Sequence, residues 1–298
     1  MTERFDTPIL LLIFNRPDTT ERVFNLLKEI KPSKLFISGD GARSNKSGEN
    51  EKVEKTREVV QSIDWDCDVK YNFSDFNLGC KMGVSSGISW FFENVNDGII
   101  IEDDVLPNKS FFRFCSEMLK HYEDNQKVMH IGGANFQDGI QRGDGIYYFS
   151  KLCHVWGWAS WARAWEKYNV NIEDEEPVID EVLNETFSFK GLREYYRKYI
   201  FKVKNGQLDT WDYQWAYTIW KNKGISVIPN KNLTTNIGFR EDATHTLDIE
   251  SRLSKMESYD LGEIRHPDII EVCHEADIYT YKTKLKIPLI KKIKSVFK

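Results

Sequence analysis

Along the first hundred residues one pattern repeats: a short strand-like segment, a polar break, then a longer stretch with apolar residues three or four apart. "PILLLIF" from Pro8 is a continuous apolar run, and "KLFISGD", "CDVKYNFS" and "DGIIIEDDV" are the later short segments. Continuous apolar runs of this length predict strands buried on both faces, as parallel strands are. Between them, "NRPDTTERVFNLLKEI" sets Val23, Leu26, Leu27 and Ile30 on one helical face, with Asp18 as its expected N-cap. "ENEKVEKTREVVQSI" and "GCKMGVSSGISWFFENV" predict two further helices. Strict alternation of strand and helix is the signature of an α/β, doubly wound, mostly parallel sheet flanked by helices.

The pattern loosens in the second half. "SFFRFCSEMLKHYE" predicts a helix, and "KVMHIGGANF" a strand entering a Gly-rich turn. "HVWGWASWARAWEKY" is dense in tryptophan. "DTWDYQWAYTIWKNKG" predicts a helix that Gly224 stops, "ISVIPN" a last strand, and "NIGFREDATHT" a polar loop. No repeat or linker interrupts this, so one domain is expected over residues 1–281. Its halves divide near 110, the second running to about 250, with a tail at 282–298.

Polar residues gather where strands end. Asn15 and Arg16 follow the first strand, Asp40 the second, and Glu102, Asp103 and Asp104 the fourth. In open α/β sheets ligands bind at the carboxyl ends of strands. Three adjacent carboxylates repel one another and call for a cation; Mg2+ and Mn2+ take such oxygen ligands together with substrate phosphates. Side chains alternate between faces along a strand, so not all three need be ligands. A solvated acidic turn is the plainer reading of the same letters.

Charge and cysteine content narrow the class. The net charge is −5, yet "KTKLKIPLIKKIKSVFK" carries seven lysines and no acid, so the remaining chain is more acidic than the whole. An acidic body excludes nucleic acid as the expected partner. The tail, with Ile287, Ile290, Ile293 and Phe297 between lysines, suits an anionic membrane surface or a solvated terminus. The longest N-terminal apolar run is far below the roughly 20 residues of a membrane span. The five cysteines, 67, 80, 115, 153 and 273, form no CxxC pair and read as reduced thiols. A cytoplasmic protein, peripheral on the inner face of the membrane, is the expectation.

"FNRP", "SGD", a Gly-containing helix and "IIIEDDV", in that order, resemble the nucleotide-sugar half of a GT-A glycosyltransferase. The triplet is similar to the EDD form of the DxD motif in the N-acetylglucosaminyltransferase I type. "WDYQWAYTIWKNKG" followed by "ISVIPN" resembles the acidic helix of family-two glycosyltransferases. "NIGFREDATHT" resembles a loop of bacterial hemolysin-like glycosyltransferases. The resemblance spans residues 7–247. It implies a GT-A fold with a smaller acceptor-side region, and a metal-dependent inverting transfer from a nucleoside diphosphate sugar, with uridine the default base. The acceptor would be a glycan or lipid-linked hydroxyl in surface polysaccharide synthesis.

Residue by residue, the resemblance implies that Asp104 binds Mn2+ or Mg2+ bridging the diphosphate. Asp103 would lie near the ribose, Glu102 near the donor sugar, and Asp40 would accept from the nucleotide base. Asn15, Arg16 and Lys81 would serve the donor, while Arg240 and His245 would close over it. Asp212 would be the base, with Asp209 left open because the usual "ED" reads Trp211-Asp212 here. Trp156, Gly157 and Trp158 would form the acceptor side. Each has a plainer role: helix cap for Asp212, turn residue for Asp40 and Arg16, loop histidine for His245, core for the tryptophans. The alternatives are a sugar nucleotidyltransferase, whose Gly-rich N-terminal loop is missing from "LLLIFNRP", and a non-catalytic binding module.

Overall fold

The structure, a computed structural model, describes residues 5–239 and 252–286. The apolar runs form the expected strands: β1 (Ile9–Ile13), β2 (Lys34–Gly39), β3 (Asp68–Phe73) and β4 (Asp97–Glu102). Between them lie α1 (Pro17–Ile30), α2 (Glu49–Gln61) and α3 (Gly79–Phe92). Then come β5 (Val105–Pro107), α4 (Lys109–His121), β6 (Val128–Gly132), β7 (Tyr147–Ser150), β8 (Trp158–Trp161) and α5 (Ala162–Trp165). The chain continues with α6 (Glu176–Thr186), α7 (Lys190–Lys204), α8 (Asp212–Lys221), β9 (Ile225–Pro229), β10 (Thr234–Asn236) and α9 (His274–Thr280).

Eight strands make one sheet in the order β3-β2-β1-β4-β8-β6-β9-β7, and β10 pairs with β5 in a small second sheet. Pairing is parallel from β3 through β4 and between β6 and β9; β8 and β7 run antiparallel to their neighbours. The fold is thus α/β and Rossmann-like, with helices on both faces. The period of two along each strand divides the core. Ile9, Leu11, Ile13, Ile99 and Ile101 face α1 and α4. Leu10, Leu12 and Ile100 face the layer of α3 and α5–α8. Each fully buried side chain of this kind contributes about 1.5–3 kcal/mol, so the centre of the sheet is the rigid base of everything attached to its edge.

Two local details differ from expectation. Arg16, not Asp18, is the cap residue of α1; Pro17 takes the first helical position, where its missing N–H costs nothing. Asp18 stands in the first turn instead. At the end of α8, Lys223 rather than Gly224 has positive φ (57°), and Gly224 is required by crowding: a Cβ there would meet Met129 Sδ at 2.5 Å. Among the described residues no helix is long and apolar enough to cross a membrane.

Candidate functional site

The strand order reverses between β1 and β4: the chain steps outward from β1 to β2 and β3, and α3 returns it to the other side of β1. At such a switch point two loops diverge and leave a crevice beyond the strand ends. Here the diverging segments are Phe14-Asn15-Arg16 and Glu102-Asp103-Asp104, and both border a cavity of about 610 Å3. Further lining comes from α7, α8 and the loop between them: Tyr199, Leu208, Asp209, Thr210, Asp212 and Tyr213. Trp156 closes one side.

The triplet is tied into the first loop. The Phe14 N–H donates to Asp103 Oδ2 at 2.9 Å. The Arg16 guanidinium pairs with Asp104 and lies 3.8 Å from Asp103 Oδ1. Burial works against the Arg16 charge, but Asp103 and Asp104 outweigh it and raise its pKa. Glu102 is pushed well above the usual carboxylate range, first by burial and then by repulsion from Asp104, Asp103 and Asp212. The strand β10 brings the next segment back: the Ile237 N–H donates to the Asp104 carbonyl at 2.7 Å. Gly238 then passes so close that a Cβ would collide with the Asp104 carboxylate. Arg240 and His245, expected beyond it, lie outside the described residues.

Carboxylate oxygens are the ligand type that a hard divalent cation takes. Glu102, Asp103, Asp104 and Asp212 act on one another electrostatically, with Arg16 the cation among them. No group of three or more His, Cys, Asp or Glu is arranged to hold a metal ion among the described residues. Asp104 with a neighbouring carboxylate could supply one or two ligands, the usual protein share when substrate phosphates supply the rest. A cation on Asp104 would share that carboxylate with Arg16.

Asp40 has a different occupation from the expected one. Its Oδ1 accepts from Gly41 N (2.9 Å) and Leu78 N (2.8 Å), and its Oδ2 from Asn77 Nδ2 (2.9 Å) and Gly79 N (3.0 Å). Four donors engage the carboxylate, so Asp40 braces the start of α3 while also lining the cavity. Burial nevertheless raises its pKa, the backbone donors opposing that rise. Glycine makes the approach possible: a Cβ on Gly83 would stand 3.2 Å from Asp40 Oδ2, and one on Gly87 2.6 Å from Ser38 Oγ.

Asp209 serves the same helix. It accepts from Cys80 N at 3.1 Å and Lys81 N at 3.2 Å, where Gly79, with φ of +81°, leaves room for it. Asp209 is therefore a cap of α3. Lys81 contributes its backbone N–H to that cap, and its side chain is absent from the cavity lining. Asn15 also turns away: its Nδ2 donates to Glu49 Oε1 at 2.9 Å.

Asp212, the first residue of α8, lines the cavity and accepts from the Thr210 hydroxyl. Its negative charge helps to raise the pKa of Tyr213, Tyr195 and Tyr168, after burial, which is the main cause in each. Asp212 at a helix start has the positive end of the macrodipole behind it.

Of the expected acceptor residues, Trp156 alone lines the cavity, held edge-on by Phe136 and Phe239. Trp158 is fully buried in β8 between β4 and β6, stacked on His130 and Trp211. Gly157, with φ of +69°, packs against Thr234 and Phe111. Neither can touch a ligand in the cavity.

Three contributors were not singled out from the sequence. Arg43 lines the cavity, pairs with Glu49 and sits 5.5 Å over the Phe14 ring. Tyr199 and Tyr213 stack in parallel, 5.0 Å apart. "KGLREYYRKYIFKVK", the stretch that forms α7, has the helical spacing and aromatic content that would have drawn attention to Tyr199.

No family model and no curated protein matches the chain. Solved structures are similar at low level. HddC from Yersinia pseudotuberculosis is 10% identical over 57% of this chain and 85% of its own, with a TM-score of 0.36. The 4-diphosphocytidyl-2C-methyl-D-erythritol synthase of Anaerococcus prevotii is 10% identical over 57% and 80%, TM-score 0.35. A UTP-bound UGPase from Acinetobacter baumannii is 9% identical over 83% and 96%, TM-score 0.35. These are likenesses in chain path, and at such scores they assign no activity to this chain.

Proposed function

We propose that this chain is a glycosyltransferase of GT-A type, moving a sugar from a nucleoside diphosphate sugar to a hydroxyl of a glycan or lipid-linked acceptor with inversion. One observation carries the reading: Asp104 at the switch point and Asp212 at the start of α8 border the same cavity, though they come from remote parts of the chain. Donor diphosphate would lie at the strand ends, where Arg16 and Arg43 supply positive charge. The chemistry a divalent cation supplies when held by Asp104 there is neutralisation of the charge growing on the leaving diphosphate. Asp212 takes the proton from the attacking hydroxyl, with the Thr210 hydroxyl orienting its carboxylate. A base facing the donor across the sugar gives attack from the far side and hence inversion, by the logic that governs inverting hydrolases. The basic tail would hold the enzyme at an anionic membrane surface; residues 287–298 lie outside the described residues.

Nucleotidyl transfer is the second reading, since the similar structures named above include a UTP-bound UGPase. Against it stands the loop after β1, "FNRP", which has no glycine to cradle a triphosphate. The test is one pair of assays on the full chain with Mn2+. A panel of nucleoside diphosphate sugars is scored for release of nucleoside diphosphate, and nucleoside triphosphates with sugar 1-phosphates for release of pyrophosphate. Nucleoside diphosphate release that Asp212→Asn suppresses supports glycosyl transfer. Pyrophosphate release alone replaces it with the second reading.

A further inference from the structure

The helix α7 carries six basic residues, four of which are matched. Lys190 pairs with Glu194, and Arg197 with Glu176 and Asp180. Arg193 donates to the Phe187 and Ser188 carbonyls, and Lys204 to the Ile172 carbonyl. Lys198 and Lys202 differ. Among the described residues neither has a carboxylate or carbonyl partner, and each ammonium stands 5.5 Å from the centre of the Tyr199 ring. Tyr199 and its stacked partner Tyr213 form the cavity wall beside Asp212. Both arginines that line the cavity are already matched, Arg16 by Asp104 and Arg43 by Glu49. Lys198 and Lys202 do not themselves line the cavity; they flank, at its tyrosine end, the Tyr199 ring that does.

We propose that this end of the cavity is a sugar-phosphate subsite. The Tyr199–Tyr213 wall packs against the apolar C–H surface of a pyranose ring, as amphipathic aromatic side chains do. Lys198 and Lys202, one helical turn apart, receive its phosphate. Lysine binds phosphate as a point charge free to adjust its geometry, and two of them match a dianion. A sugar held there would present its hydroxyls toward Asp212, so the acceptor of the proposed transfer is a phosphate-bearing sugar rather than a neutral one. The inference rests on the reading of this cavity as the substrate site, but it concerns binding and is tested without turnover.

The full chain is titrated calorimetrically, with neither donor nor metal, against hexose 1-phosphates, the matching methyl hexosides and inorganic phosphate. At least one hexose 1-phosphate should bind ten-fold or more tightly than both its methyl hexoside and inorganic phosphate. Lys198→Ser with Lys202→Ser should reduce that affinity to the level of the methyl hexoside. Tyr199→Leu should reduce it to the level of inorganic phosphate. Both sites are on the helix surface, and unchanged melting confirms that the variants fold. The inference is overturned if no hexose 1-phosphate exceeds inorganic phosphate, or if the paired lysine variant binds as the parent does. A chain that binds sugar phosphate yet transfers nothing keeps the inference and loses the glycosyltransferase reading. A chain that transfers to neutral sugars, with binding indifferent to Lys198 and Lys202, does the reverse.

Discussion

At the start of α3, two carboxylates from distant parts of the chain take up the backbone N–H groups: Asp40 those of Leu78 and Gly79, Asp209 those of Cys80 and Lys81. At the start of α8, Asp212 keeps its carboxylate on the cavity, with the Thr210 hydroxyl as a donor. Both are acids at helix starts, where the unpaired N–H groups and the dipole favour negative charge. What separates them is where their donors come from. All three acids line the cavity, but these donors to Asp40 and Asp209 belong to the start of α3, whereas Asp212 accepts from Thr210, two residues before it. Asp209 also links α3 to α8, since its loop leads into α8 while its acceptor bonds end on α3.

The largest expected effect tests that separation directly. Asp212→Asn should lower transfer by roughly 10²- to 10⁴-fold, the range for losing a general base, with donor affinity retained. Asp209→Asn should lose far less. Rates and donor affinities measured side by side decide it, and a dead Asp209→Asn beside an active Asp212→Asn would exchange the two roles.

Next comes Asp104. Asp104→Asn keeps the shape against Gly238 but removes the charge, so donor binding should lose its dependence on Mn2+. Titration of donor with and without Mn2+ measures this, and an unchanged dependence would remove Asp104 as a ligand.

The capping acids should act on stability instead. Asp40→Ala removes four hydrogen bonds and should cost about 2 kcal/mol or more. Asp209→Ala, at an exposed cap, should cost about 1 kcal/mol. Chemical denaturation of both variants ranks them; equal and negligible losses would mean that α3 does not depend on either.

A separate prediction concerns another buried acid, remote from the cavity. Asp277 on α9 accepts from Ser150 Oγ (2.5 Å) and Lys151 N (3.1 Å), and burial raises its pKa to about 7 despite those donors. A carboxyl whose folded value lies above its ordinary 3.8 holds its proton more tightly when folded. Its contribution is complete below that ordinary value and is lost as pH rises toward 7. Unfolding free energy should therefore decline between about pH 4 and about pH 7 in the parent and decline less in Asp277→Asn. Parallel profiles would show that Asp277 does not titrate in this window.

Much of the first half was legible because its signals are local. Uninterrupted apolar runs marked β1, β2 and β4, and 3.6-residue spacing marked α1. The acidic triplet could be assigned to a strand end without any partner in view. Asp212 at the start of a helix was readable for the same reason, as was Trp156 within its tryptophan-rich stretch. These are properties of a few consecutive residues, and the backbone's own periodicities determine them.

The tertiary structure decided which of these side chains are available. Asp40 and Asp209 look as functional as Asp212 in the sequence, but their donors lie far along the chain, 129 positions away for the Asp209–Cys80 bond. Trp158 looks as exposed as Trp156 until β8 is inserted, antiparallel, between β4 and β6. Arg43, Tyr199 and Tyr213 join the cavity only because three remote elements converge on it. Secondary structure is set by neighbours along the chain, but a polar side chain's role depends on whether folding brings it a partner, and that is a property of contacts across the whole chain.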